Sequence, residues 1–118
     1  SASSPERRAR SRMQESSVGQ LHARLGNKGD APLLLDVREP WEFDICRIDG
    51  ARLLPMGDIV ANIGELDQAR ETIVICHHGI RSLQVALYME HRGFSQVINL
   101  RGGVAAWAQD VDPAMPTY

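Results

Sequence analysis

The sequence predicts an α/β fold: a central parallel sheet of about five strands with helices on both faces. Three observations carry that prediction. Apolar runs such as Leu33-Leu34-Leu35-Asp36-Val37 and Thr72-Ile73-Val74-Ile75-Cys76 are continuous rather than alternating, which suits strands buried on both faces. Between the runs lie segments whose apolar residues recur at helical spacing. The two signals alternate along 118 residues, a length for one domain.

Taken in order, residues 1–13 carry Arg7, Arg8, Arg10 and Arg12 against Glu6, a charge of +3. They lack hydrophobic periodicity and read as a flexible basic tail, leaving 14–118 as the folded domain. Ser17-Val18-Gly19-Gln20 is an S-x-x-Q capping box, followed by Val18, Leu21 and Leu25 on one helix face and Gly26 as a left-handed stop. A polar loop from Asn27 to Pro32 leads into the first clear strand, 33–37. Arg38 to Asp44 is charged around Trp41 and Phe43 and reads as loop plus a short helical turn. Ala51 to Pro55 reads as a brief strand. Asp58 then caps a helix whose inward stripe is Ile59, Ile63 and Leu66. Thr72 to Cys76 is the best strand, and Arg81 to Arg92 the best helix, with Leu83, Ala86, Leu87 and Tyr88 expected on its buried side and Gly93 as its stop. Val97 to Leu100 is a strand, Gly102-Gly103 a turn, and Val104 to Gln109 a last helix carrying Trp107. Trp41 and Trp107 are expected to pack in the core, His22 and His91 to face solvent.

Composition narrows the function. The net charge is −2, so beyond the tail the chain carries −5, and no basic body exists to coat a phosphate backbone. No nucleic acid is expected as a partner. The apolar runs are far shorter than a bilayer span, so no membrane association is expected either. No apolar stretch follows the N-terminal arginines, which argues against a secretory signal, and a cytoplasmic location is expected. Two cysteines cannot build a disulfide framework, and no Cys/His spacing resembles a zinc site. No metal and no cofactor are expected.

The chemistry concentrates in Cys76-His77-His78-Gly79-Ile80-Arg81-Ser82, between the best strand and the best helix. Ligands of open parallel sheets bind outside the carboxyl ends of strands, where this loop belongs. Backbone N–H groups of a curled loop and the start of the next helix favour a thiolate there over a thiol. Gly79 permits the left-handed backbone such a cradle needs. Arg81 opposes the helix dipole, a cost that suggests an anion binds nearby. Each residue has an ordinary reading: Cys76 as a small buried hydrophobe, the histidines as loop residues, Arg81 paired with an acid. Thiol, glycine and arginine at one strand-to-helix junction together favour a reactive, anion-binding cysteine. A metal site is disfavoured, because adjacent Cys-His-His side chains splay apart.

Four segments resemble a known family. Leu34-Leu35-Asp36-Val37-Arg38-Glu39-Pro40-Trp41-Glu42-Phe43, Ile48-Asp49-Gly50-Ala51, the Cys-x-x-Gly-x-Arg-Ser loop and Leu100-Arg101-Gly102-Gly103-Val104-Ala105-Ala106-Trp107 look like a single-domain rhodanese, in order, from about Ser17 to Trp107. The resemblance implies the rhodanese-like three-layer fold and a thiosulfate sulfurtransferase. Its nucleophile is Cys76, which passes through a persulfide. His77, His78, Gly79, Ile80, Arg81 and Ser82 then hold the substrate, with thiosulfate as donor and cyanide, a thiol or a protein as acceptor. Four residues separate Cys76 from Arg81, whereas phosphatases and arsenate reductases of this fold have a loop longer by one. Where the family has glycine this chain has Cys46, expected to be a small, partly buried side chain, with a resolving thiol as the alternative. Asp36 and Arg38 are expected to organise the first strand's end; Arg38 at the substrate mouth is the alternative. A non-catalytic rhodanese-like module that binds a partner or senses redox state is the rival function.

Overall fold

The computed structural model describes residues 14–25 and 32–117, so the expected basic tail, the Gly26 stop and loop residues 27–31 lie outside the described residues. The strands are β1 (Gln14–Ser16), β2 (Leu33–Asp36), β3 (Arg52–Leu53), β4 (Thr72–Ile75) and β5 (Val97–Leu100). The helices are α1 (Val18–Leu25), α2 (Pro40–Ile45), α3 (Ile59–Asn62), α4 (Ile80–His91) and α5 (Gly103–Asp110), with single 3-10 turns before and after α3. All strand pairs are parallel, in the spatial order β1-β5-β4-β2-β3.

β4 is central, and all four of its residues are buried, which is why its sequence shows no polar alternation. Its side chains divide between two cores. Ile73 and Ile75 join Leu34, Leu100, Leu21 and Trp107 on the face covered by α1 and α5. Val74 and Cys76 join Leu35, Ile59, Ile63, Val85 and Met89 on the face covered by α3 and α4. Three layers follow directly from this alternation.

The local signals hold where side chains act on nearby backbone. Gln20 N–H donates to Ser17 Oγ (3.1 Å) and Ser17 N–H to Gln20 Oε1 (2.9 Å), the reciprocal cap that starts α1. Ile59, Ile63 and Leu66 are buried, and His22 and His91 are exposed, as the pattern predicts. Asp58 stands at the start of α3, but its side chain makes no capping bond.

One strand was not foreseen, and two more expectations fail. The fifth strand, β1, carries the sequence Gln-Glu-Ser, too short and polar to announce itself; it forms because β5 offers a parallel edge, pairing Glu15 with Asn99. The buried stripe of α4 is Ser82, Val85, Ala86 and Met89, while Leu87 is 44% exposed. Ser82 sets that phase by turning inward toward Cys76. Trp41 is 58% exposed, because α2 buries its neighbour Glu42 instead.

Candidate active site

Cys76 follows the last residue of β4, so the central strand carries it to the carboxyl edge of the sheet. It is 1% exposed. Its Sγ accepts the Gly79 N–H at 3.0 Å and lies 3.3 Å from Ser82 Oγ. Gly79 turns the chain at φ +99° into α4, and a Cβ there would crowd the Gly102 nitrogen. That left-handed turn brings the 79 N–H back onto the sulfur three residues earlier.

The loop is anchored from the next crossover. Val104 N–H donates to the Cys76 carbonyl (2.9 Å) and Ala105 N–H to the His77 carbonyl (3.0 Å), so the first turn of α5 holds the loop backbone. Gly103, at φ +58°, makes this approach: a Cβ there would collide with the Cys76 and His77 carbonyl oxygens. The Gly102-Gly103 pair is therefore more than a turn.

The charges are distributed in pairs. Arg81 donates from both terminal nitrogens to Glu42, at 2.8 Å each, and Glu42 Oε1 also accepts the Glu39 N–H at 2.8 Å. The Glu42 side chain is 5% exposed and that of Arg81 36%, so Arg81 keeps an open flank while its charge is shared with a buried carboxylate. Asp36 and Arg38 form a fully buried ion pair (2.7 Å), and Arg38 also donates to the Cys46 carbonyl (2.6 Å). This matches the organising role expected of the pair. The alternative of Arg38 at the substrate mouth does not fit a guanidinium with no exposed surface.

His77 and His78 stack with ring centroids 4.0 Å apart. Burial holds His77 below the ordinary imidazole range, and the neighbouring His78 pushes it the same way, so His77 is neutral at pH 7. The two rings, with Cys46, Val104, Ala105 and Thr117, line a depression of about 210 Å3 beside the loop. Ile80 is exposed. Cys46 is buried, its Sγ 3.7 Å from an Arg38 nitrogen, and both cysteines are free. Among the described residues no group of three His, Cys, Asp or Glu side chains could hold a metal ion. No helix there is long and apolar enough to cross a membrane.

The structure thus brings Gly79 and Ser82 onto the buried Cys76 sulfur, while the Arg81 side chain is held by Glu42. Sequence reasoning missed three contributors: Glu42, Gly103 and Asn99, whose Oδ1 lies 2.5 Å from Ser82 Oγ. Asn99 did carry a signal, being a polar residue inside the apolar run Val97 to Leu100.

Known proteins are similar to this chain. The chain is 40% identical over 87 residues to a probable adenylyltransferase/sulfurtransferase MoeZ of Mycobacterium tuberculosis, covering 72% of this chain but 22% of that protein. It is 38% identical over 74 residues to the thiosulfate sulfurtransferase GlpE of Shewanella oneidensis, covering 63% of this chain and 73% of that one. A rhodanese-like domain protein from Staphylococcus aureus superposes with a TM-score of 0.76 at 28% identity, over 80% of this chain and 91% of that one. The sequence model of the rhodanese-like domain matches residues 17–110, a span that holds every strand but β1 and the whole cysteine loop. The chain belongs to the rhodanese-like domain family.

Proposed function

We propose that the chain is a sulfurtransferase that carries a sulfane sulfur on Cys76. The observation behind this reading is the Cys76 sulfur at the end of the central strand, met by the Gly79 N–H at 3.0 Å. A donor N–H aimed at sulfur stabilises an anion, first the thiolate and then the terminal sulfur of a persulfide. The sulfurtransferase names of the relatives point the same way.

Two displacements make up the reaction. The Cys76 thiolate attacks the sulfane sulfur of thiosulfate; a new S–S bond forms, the old one breaks, and sulfite leaves with the electron pair. Cys76 then carries an outer sulfur anion. An acceptor nucleophile, cyanide or a thiolate, bonds to that outer sulfur and returns the electron pair to Sγ. Charge is conserved in both steps, no redox partner is needed, and the scheme predicts ping-pong kinetics. Thiosulfate is proposed as donor because Arg81 keeps an exposed flank for the sulfonate, and because of the relative from Shewanella. Cyanide serves as the assay acceptor, with a small or protein thiol in its place in the cell. The cytoplasm, rich in thiols, is the compartment this chemistry suits.

The test is intact-mass spectrometry after incubation with thiosulfate. A gain of one sulfur atom, lost on reaction with cyanide and absent in Cys76→Ser, supports the reading. No gain with thiosulfate or with an organic persulfide overturns it in favour of a binding or redox-sensing module.

A further inference from the structure

Behind the Cys76 sulfur runs a chain of polar side chains that the sulfur-transfer scheme leaves unused. Ser82 comes from the first turn of α4, Asn99 from β5 and Glu15 from β1. Ser82 Oγ stands 3.3 Å from Cys76 Sγ and 2.5 Å from Asn99 Oδ1. The Asn99 amide nitrogen donates to Glu15 Oε2 (3.1 Å) and to the Gly79 carbonyl (3.3 Å).

Those partners fix every proton in the chain. A backbone carbonyl and an ionised carboxylate can only accept, so the Asn99 NH2 must face them. The reversed amide would set its oxygen against two acceptors. Asn99 Oδ1 therefore faces Ser82 and can only accept. The single Ser82 hydroxyl proton is drawn into that bond, and what Ser82 presents to the sulfur is a lone pair. A lone pair suits Cys76 as an S–H donor; a thiolate needs the hydroxyl turned the other way.

We infer that Asn99 is a positioning residue for the sulfur chemistry, holding the Ser82 hydroxyl so that it favours the protonated resting cysteine. The inference rests on the reading of Cys76 as nucleophile. When Cys76 becomes anionic, Ser82 swings its O–H onto the sulfur and Asn99 Oδ1 loses its donor. The loop N–H of Gly79 pulls toward the anion, and Asn99 pulls against it. Other charged or titratable groups lie on the elements packed at this end of the sheet: His77 and His78 in the loop, Arg81 with Glu42 of α2, the Asp36–Arg38 pair at the end of β2, and Glu15 hydrogen-bonded to Asn99. Substituting Asn99 alters none of their charges.

The test is the pH profile of Cys76 alkylation by iodoacetamide, followed by peptide mass so that Cys46 is counted separately. In Asn99→Ala the Ser82 hydroxyl is released to the sulfur. The alkylation rate in mildly acidic buffer is expected to rise about tenfold, the scale of one hydrogen bond to a charged group, while the alkaline plateau stays put. On a Ser82→Ala background the same substitution is expected to change the rate by less than about twofold. Asn99→Leu, closer in volume, gives the same readings where the alanine variant does not fold. A rate that fails to rise in the single variant, or a rise that survives without Ser82, overturns the inference. Alkylation needs no sulfur donor, so this outcome is independent of whether a persulfide forms.

Discussion

Replacing Glu42 by glutamine separates two roles that meet at Arg81. In the structure the Arg81 guanidinium is clasped by a carboxylate that is 5% exposed, through two bonds of 2.8 Å. The same guanidinium is the cation proposed to receive the sulfonate of thiosulfate, so Glu42 and substrate compete for one charge. Glutamine keeps an oxygen for the Glu39 N–H and removes the negative charge. Breaking a fully buried pair costs about 3–5 kcal/mol, and an exposed pair contributes about 0–1 kcal/mol. With Arg81 36% exposed, the released cation reaches water, and a loss of about 1 kcal/mol is expected in urea unfolding. The freed charge should strengthen thiosulfate binding by a similar amount, lowering KM about fivefold at low salt and less at high salt. The assay is thiocyanate formation at saturating cyanide, with kcat expected within about twofold of the parent. An unchanged or raised KM beside the stability loss would refute the reasoning and leave Arg81 a structural tie between α2 and α4.

Gly103→Ala places a methyl group against the carbonyls of Cys76 and His77, at a backbone angle alanine adopts at a cost of about 1–2 kcal/mol. Thermal unfolding should show a loss above about 2 kcal/mol, and persulfide formation should fall with it; a neutral variant would mean that α5 is not seated on the loop as described. Asp36→Asn leaves the buried Arg38 guanidinium without its carboxylate and should cost about 3–5 kcal/mol in urea unfolding, where a cost under about 1 kcal/mol would contradict a dry pair. His77 titrates lower in the folded chain than in the unfolded one, so between its folded pKa and the ordinary 6.5 the unfolded state binds the extra proton. Its contribution to stability is therefore present above 6.5 and declines as pH falls through that window. The urea midpoint should drop on acidification less in His77→Gln than in the parent, and equal drops would count against the burial of His77.

Much of this was legible in the sequence because the physics involved is local. The cap at Ser17 and Gln20 is four residues long, and the apolar run of β4 advertises its own burial. The position of Cys76 before a glycine and a helix start told where the sulfur would sit. What stayed hidden depends on residues far apart in the chain. β1 owes its existence to an edge of β5 more than eighty positions away, and nothing in Gln14-Glu15-Ser16 favours a strand by itself. The phase of α4 was misjudged because Leu87 is as apolar as Val85, and only the inward turn of Ser82 decides between them. Which acid holds Arg81 was not legible, because Glu42 lies thirty-nine residues earlier. Asn99 needed the sheet to bring it behind Ser82.

The depth at which Cys76 lies constrains how any sulfur can reach it. Displacement at a divalent sulfur proceeds with the attacking atom, the transferred atom and the leaving atom nearly in line. Cys76 is 1% exposed, with Ser82 Oγ and the Gly79 N–H against its sulfur, so a line of attack has to pass on a side these two leave. In the proposed transfer the leaving group must then point along that side. Such a site admits donor and acceptor one at a time. Collinearity at a buried atom would make the protein a narrow docking port for sulfur itself, with donor and acceptor each addressing it from solvent in turn.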